Sequence, residues 1–307
     1  MRTLTELKEG VIKEVDNLKD ELFELSKNIH SHPELGLKEY KACKWITEIL
    51  KEHGFKVKVG VAGLETAFVG EYACKEKGYN IAFLAEYDAL PEVGHGCGHN
   101  IIASASVGAG IALSKLANLL RGKFFVIGTP GEEGQGGKII MLERGIFKNI
   151  DAAMMIHPSD QTIVARDSLA VRELKLEFFG RTAHAAAEPE LGINALDAVI
   201  QTFNSINALR QHVREDVRIH GTITKGGVLP NIVPDYASAL FFVRALDDKY
   251  VEEVLKKVIE CAKASSLSTG AKLKFEIGKG YRAKKINRAF YELFKNNLKI
   301  LGVKVGE

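Results

Sequence analysis

The sequence predicts an α/β fold: a mostly parallel sheet covered by helices, interrupted by an inserted ferredoxin-like βαββαβ domain. Three observations carry this expectation. Short apolar strands alternate with amphipathic helices from the N-terminus onward. Acidic residues and a histidine directly follow several of those strands, where open α/β sheets place ligand sites. Beyond residue 167 the strands alternate apolar and polar positions and arrive in the order β-α-β-β-α-β.

Taken in order, 3–30 and 37–53 have helical apolar spacing, the first ending near Ser31-His32-Pro33 and the second at Gly54. Phe55 to Val59, Thr66 to Val69 and Asn80 to Ala85 read as strands, the last running into Glu86-Tyr87-Asp88-Ala89-Leu90-Pro91. After a glycine-rich loop, Ile101 to Leu120 reads as a helix of small residues and Gly122 to Gly128 as a strand. Lys138 to Gly145 is a short helix, and Ala152 to Ile156 a strand that stops at His157-Pro158. In the inserted domain, Leu169 to Phe179, Val217 to Thr224, Tyr236 to Ala245 and Lys272 to Ile277 are strands. Ile193 to His212 and Lys249 to Ala264 are its helices. A helix over 287–301 and a strand starting at Val303 return the chain to the first domain. The expected organisation is 1–166, then 167–282 as the insertion, then 283–307.

Composition narrows the function classes. With 307 residues, 46% hydrophobic and 26% charged, the chain has a globular composition and length for two domains. A net charge of +3 without a basic block argues against nucleic acid as a partner. Apolar runs such as Ile101 to Leu113 are too short and too interrupted to span a bilayer. The N-terminus alternates charge with Leu and Val, so no signal peptide is read there. Cys43, Cys74, Cys97 and Cys261 lack paired spacing, which favours a reducing, cytoplasmic setting.

The densest chemistry lies in Gly94-His95-Gly96-Cys97-Gly98-His99-Asn100. A thiolate and an imidazole two residues apart, between glycines, can turn toward one metal. The plainer reading is a tight turn with a buried Cys and a helix-capping Asn, with His95 shaping the loop. Glu132 and Glu133 follow a strand in a glycine-rich turn, where one can ligate metal while the other acts as general base; the plainer reading is a solvated charge pair. His157 alone would be structural. With Cys97, His99 and Glu133 it completes a donor set suited to zinc, cobalt or manganese. Asp88 can orient a ligand as a neighbouring carboxylate. In the inserted domain, His184 ends a strand, Asn231 sits in a polar turn and Arg244 lies late in a strand. These are either ordinary turn and surface residues or a set that grips a substrate carbonyl and carboxylate.

Glu86 to Pro91, His95 to Asn100 and Gly128-Thr129-Pro130-Gly131-Glu132-Glu133 resemble metallopeptidase family twenty. Within it they resemble the branch of aminoacylases, indoleacetyl-amino-acid hydrolases, aminobenzoyl-glutamate hydrolase and β-alanyl dipeptidases. Arg181 to Ala198 with Gly226 to Pro234 resembles that family's lid domain, which pairs two subunits. The resemblance implies Cys97, His99, Glu133 and His157 as ligands of one or two divalent ions (zinc, manganese or cobalt). It implies Glu132 as general base, and His184, Asn231 and Arg244 as lid residues that contact substrate. The implied substrate is an N-acyl or aminoacyl amino acid, the implied assembly a homodimer, and the implied reaction amide hydrolysis by metal-activated water. Complete relatives carry a last metal-binding His near their C-terminus, whereas no histidine follows His220 here. An incomplete catalytic domain is therefore expected, and the alternative reading is a dimeric remnant with impaired catalysis.

Overall fold

The computed structural model describes residues 3–306, except the side chain of Lys279. They form two compact units that divide between Asp160 and Gln161. No described helix is long and apolar enough to cross a membrane.

The first unit opens with α1 (Leu4–Asn17) and α2 (Lys19–Ser31), where the sequence reads as one helix. Thr3 and Glu6 start α1 with a reciprocal capping box. No breaker residue separates the two helices. The turn is made at Leu18, whose side chain is buried in one core cluster with Leu25 and Ile29. Then come α3 (Tyr40–Glu52), β1 (Lys56–Val59), β2 (Phe68–Ala73), β3 (Glu76–Ala85), α4 (His99–Lys115), β4 (Arg121–Gly128), α5 (Gly137–Glu143) and β5 (Ala152–Met154).

The strands lie in the order β1-β2-β4-β3-β5. β3 pairs parallel with β4 and β5, but β2 runs antiparallel to both β1 and β4, so the sheet is mixed rather than mostly parallel. The cause is connection length. The crossover through α4 allows β3 and β4 to run parallel, whereas the short link from β1 to β2 permits only a reversal. Ala85 sits opposite Gly128 at the ends of β3 and β4, and Thr129 N–H donates to the Ala85 carbonyl at 2.8 Å. The segments beginning at Glu86 and Thr129 therefore leave the sheet side by side, with β5 on the other side of β3.

The second unit contains β6 (Ala170–Phe179), α6 (Ala195–Leu209), β7 (Arg218–Lys225), β8 (Tyr236–Ala245), α7 (Asp248–Thr269), β9 (Lys272–Tyr281) and α8 (Arg288–Ile300). Its sheet has the order β7-β8-β6-β9 with every pairing antiparallel, which is the ferredoxin-like arrangement. Inward positions of β6 and β8 (Leu174, Leu176, Phe178, Phe241 and Val243) share a buried cluster with Val199 of α6 and Val254 and Val258 of α7. Asn194, Asp247 and Asn287 cap α6, α7 and α8 with side-chain acceptors. Residues 283–306, from the segment 283–307 expected to rejoin the first domain, group with this second unit. The strand expected from Val303 is absent among the described residues: 303–306 form no ladder, and Gly306 N–H donates to the Thr162 carbonyl at 2.8 Å.

Candidate metal centre

The loop from Glu86 to Gly98 and the N-terminus of α4 supply the first donors. Gly98 caps α4 at φ 75°, a left-handed conformation that glycine adopts without a Cβ penalty. That turn starts the helix at His99, which is 1% exposed. His99 Nδ1 lies 3.0 Å from Asp88 Oδ1 and 2.9 Å from the Asp88 carbonyl. With its proton held on that side, Nε2 is left as a lone-pair donor, the usual way a neighbouring carboxylate sets a ligand's tautomer. Nε2 lies 3.5 Å from Glu86 Oε2, 3.9 Å from Glu133 Oε1 and 4.0 Å from Glu132 Oε2.

The carboxylate pair is placed by the turn after β4. Gly131 has φ 65°, and its N–H donates to Glu39 Oε1 at 2.8 Å. Glu39 is fully buried and also accepts from Leu37 N–H at 2.9 Å and Thr66 Oγ1 at 2.8 Å. Burial pushes the Glu39 carboxyl up, against those hydrogen bonds. On the other side of the turn, Glu133 N–H donates to Asp88 Oδ2 at 2.9 Å. Asp88 thus touches both the imidazole and the carboxylate loop. Burial would raise its pKa, but the His99 hydrogen bond, the Glu133 N–H and the imidazole charge hold it below the usual carboxylate range.

Among the described residues, two sets have donor atoms within 4.8 Å of one another: Cys97, His99 and Glu133, and Glu86, His99 and His157. His157 is exposed, three residues past β5, with its ring perpendicular to that of His99 at 6.0 Å between centroids. Glu86 Oε2 and His99 Nε2 are buried and have no hydrogen-bond partner. Unsatisfied buried polar groups cost about 1–3 kcal/mol each. A cation between two such acceptors removes that cost, so the residues fit a divalent metal. The Cys97 thiol is pushed up to about 11 by a hydrogen bond to Glu133, by burial, and by the charges of Glu133, Glu132 and Asp88. A thiol surrounded by carboxylates is a poor free nucleophile and a good ligand once a cation offsets them. Burial raises the Glu132 carboxyl, as do Glu86 and Glu133, while Lys138 and His99 oppose. For His99, burial opposes the charge, but Asp88, Glu86 and Glu132 raise its pKa overall.

Sequence reading missed two members of this cluster. Glu86 is 2% exposed and lies between His99 and the Lys138 ammonium. Its signal was present: Glu86 and Asp88 are two residues apart directly after an apolar strand, and strand alternation continued past its end puts them on one side. Lys138 lies in α5, and the sequence gives no reason to aim its side chain at Glu86. His95 is 8% exposed and its ring stacks near His30 at 6.2 Å. Asn100 lies inside α4 instead of capping it and donates to Ser26 Oγ at 2.8 Å.

Within the second unit, His184 and Asn231 come together: His184 bridges Ile232, and Ala185 N–H donates to the Asn231 carbonyl at 3.0 Å. His184 Nδ1 accepts from Ala187 N–H at 3.1 Å, leaving Nε2 outward on an exposed side chain. Arg244 is at the far end of β8, eight residues past Tyr236, and a strand rises about 3.4 Å per residue. A small substrate held at His184 and Asn231 is therefore beyond the reach of Arg244 in the same subunit. Arg244 Nε instead donates to His220 Nε2 at 3.2 Å.

A family profile describing a peptidase dimerisation domain matches residues 171–269. The chain is 37% identical to the Xaa-Arg dipeptidase of Mus musculus over 282 residues, which is 88% of this chain and 65% of that protein. It is 33% identical to the Xaa-Arg dipeptidase of Homo sapiens over 306 residues, 94% of this chain and 70% of that protein. The chain thus spans 65% to 70% of the length of these two relatives. Its fold is similar to the crystal structure of a dinuclear metal-binding peptidase from Bacillus subtilis, with a TM-score of 0.77 at 21% identity, covering 95% of this chain and 82% of that one.

Proposed function

The chain belongs to the M20 peptidase family, and from that premise we propose that it is a metal-dependent amidohydrolase acting on dipeptides or N-acyl amino acids. The observation that carries the reading is the buried pair of unpartnered donors, Glu86 Oε2 and His99 Nε2, set among Cys97, Glu133 and His157. Named dipeptidases among the relatives favour an enzyme over the catalytically impaired remnant.

Cys97, His99, Glu133 and His157 are the proposed ligands of one or two ions of zinc, manganese or cobalt, with Glu86 added by the geometry. A divalent ion held there supplies the Lewis acidity that makes water nucleophilic near neutral pH. Glu132 is the proposed general base. Its raised pKa suits it to take a proton from the attacking water and return it to the leaving amine. Asp88 fixes the His99 tautomer. His184 and Asn231 are proposed to contact the scissile carbonyl, with His184 serving a second subunit through a dimer built on the second unit. Arg244 is kept only as a carboxylate contact for substrate that its own His184 does not hold. All four cysteines are free, which supports a reducing, cytoplasmic setting.

The test is reconstitution. The chain, stripped with a chelator and reloaded separately with zinc, manganese or cobalt, is assayed on dipeptides with a basic C-terminal residue, on other dipeptides and on N-acyl amino acids. Metal-dependent release of the C-terminal amino acid supports the proposal. Metal binding without hydrolysis of any of these substrates would remove the amidohydrolase reading.

A further inference from the structure

The turn that carries Glu132 and Glu133 is held from a part of the chain that supplies none of the proposed ligands. Glu39 directly precedes α3, a place where side chains commonly cap a helix, yet its carboxylate makes no capping hydrogen bond. Glu34 does that work instead, accepting from Lys41 N–H at 2.9 Å and Ala42 N–H at 3.0 Å. The Glu39 carboxylate turns inward. Its Oε1 accepts from Leu37 N–H at 2.9 Å and Gly131 N–H at 2.8 Å, and its Oε2 from Thr66 Oγ1 at 2.8 Å. Thr66 is held in turn, because its carbonyl accepts from the buried Tyr87 hydroxyl at 2.7 Å. All three donors to Glu39 are neutral and the group is fully buried. Burying a carboxylate without a cationic partner is costly, and an apolar side chain would fill the same space for less.

Backbone also packs on backbone at this point. Leu37 takes a left-handed conformation at φ 66°, which residues other than glycine rarely adopt. Its Cδ2 lies 2.9 Å from where a Cβ on Gly131 would stand, and a Cβ on Gly36 would stand 2.9 Å from Gly131 Cα. On the far side of Glu132, the Glu133 N–H donates to Asp88 Oδ2 at 2.9 Å. Glu132 therefore sits between two amides, each fixed by a buried carboxylate. Among the described residues no hydrogen bond fixes the Glu132 carboxylate itself, whose Oε2 lies 4.0 Å from His99 Nε2. Its direction follows from the backbone that carries it.

We propose that Glu39 is a positioning residue for Glu132: it pins the Gly131 N–H on one side while Asp88 pins the Glu133 N–H on the other, and so sets where the Glu132 carboxylate stands. The inference rests on the reading of Glu132 as general base. Glu39 touches neither metal nor substrate, and its effect passes through the turn alone.

The test uses the full chain and two readouts. Hydrogen exchange of residues 129–136, followed by mass spectrometry without metal or substrate, reports whether the turn is held. Steady-state kinetics at saturating metal, on the best substrate of the reconstitution above, reports whether the base is placed. Glu39→Met removes the acceptors at similar length and should speed exchange of the turn by at least about tenfold. It should lower kcat by about 10–100-fold with KM near wild type, since a base displaced by about 1 Å loses rate rather than binding. Glu39→Gln should restore both readouts, because its amide oxygen accepts the two N–H groups and its NH₂ donates to the Thr66 hydroxyl. Leu50→Ala, at the other end of α3 and fully buried, weakens the packing of that helix and should leave kcat unchanged. In a Glu132→Gln background, Glu39→Met should cost at most about twofold more, because the residue it acts through is already gone. Glu39→Asp, which withdraws the acceptor by one methylene, replaces the methionine variant if circular dichroism shows that variant unfolded, and should move both readouts the same way. Unchanged exchange or unchanged kcat in the folded variant would overturn the role of Glu39 while Glu132 keeps its own. The same fractional loss with and without Glu132 would overturn it too. An active Glu132→Gln, or a wild type that hydrolyses nothing, would overturn the general-base reading and the inference with it.

Discussion

The cluster at the strand ends of the first unit buries polar groups differently from the core of the second unit. In the second unit, Thr202, Ser238 and Ser265 are buried, and each is satisfied close by: Thr202 Oγ1 donates to the Ala198 carbonyl at 2.8 Å, Ser265 Oγ to the Cys261 carbonyl at 2.9 Å, and Ser238 Oγ shares a 2.7 Å hydrogen bond with Thr224. These side chains cost the fold little. In the first unit, Glu39, Glu86, Asp88, His95 and His99 are buried where β3 and β4 end, and acceptors of Glu86 and His99 are left without partners. The same chain thus builds one region for packing and tolerates local instability in another. The difference separates a scaffold from a centre without reference to any relative.

The largest expected effect tests the centre. Glu132→Gln should reduce hydrolysis by about 10²–10⁴-fold, the usual contribution of a general base, and leave metal content nearly intact. Glu133→Gln should lower metal content. Equal metal loss in both variants, measured by elemental analysis, would erase the division of labour between the two carboxylates.

The counterpart in the second unit is Phe241→Ala. Phe241 is 1% exposed and packs on Phe203 at 4.7 Å between centroids. Its loss should cost about 3–5 kcal/mol, seen as a lower unfolding midpoint in calorimetry, with metal affinity unchanged. A matching loss of metal affinity would show that the two regions are not independent in function.

A smaller effect sharpens the role of the neighbour that orients the ligand. Asp88→Asn keeps the shape but weakens the hold on the His99 Nδ1 proton, and changes to such partners reduce metal affinity by about 10–100-fold. Metal-competition titration measures it, and a change under twofold would mean that the imidazole is fixed by the Asp88 carbonyl alone.

The last prediction concerns pH. Burial raises the Glu39 carboxyl in the folded chain above its ordinary value of 4.5. The stability it contributes is therefore fully present below pH 4.5 and falls as pH rises through the folded value. Glu39→Gln mimics the protonated form, so urea unfolding across a pH series should lose that fall. If the variant retains the wild-type slope, another group is responsible.

Much of this was legible in the sequence because strand periodicity and glycine loops are local signals. The ends of β3, β4 and β5 could be placed, and with them Asp88, Cys97, His99, Glu132, Glu133 and His157. Three features were not legible, each for a tertiary reason. The break at Leu18 comes from burying one leucine, not from a breaker residue. The reversal of β2 depends on a link whose length gives direction only once its partner strand is known. The approach of Lys138 to Glu86 joins residues on separate elements. Glu86 itself could have been found by continuing the alternation of β3 past its end, two residues back from Asp88.

Glu39 gathers Leu37, Thr66 and Gly131 onto one carboxylate, and its bond to Gly131 closes a separation of 92 positions along the chain. Contacts that distant are slow to form, because the intervening loop must close first. None of the donors comes from α1, α2 or α3, yet the carboxylate turn takes its final form only when α3 and the segment before it are in place. Metal capture by the proposed donors is therefore expected late in the maturation of the chain: a nascent polypeptide that has emerged through His157 carries Cys97, His99, Glu133 and His157, while the carboxylate turn still waits for the segment before α3 to fold back.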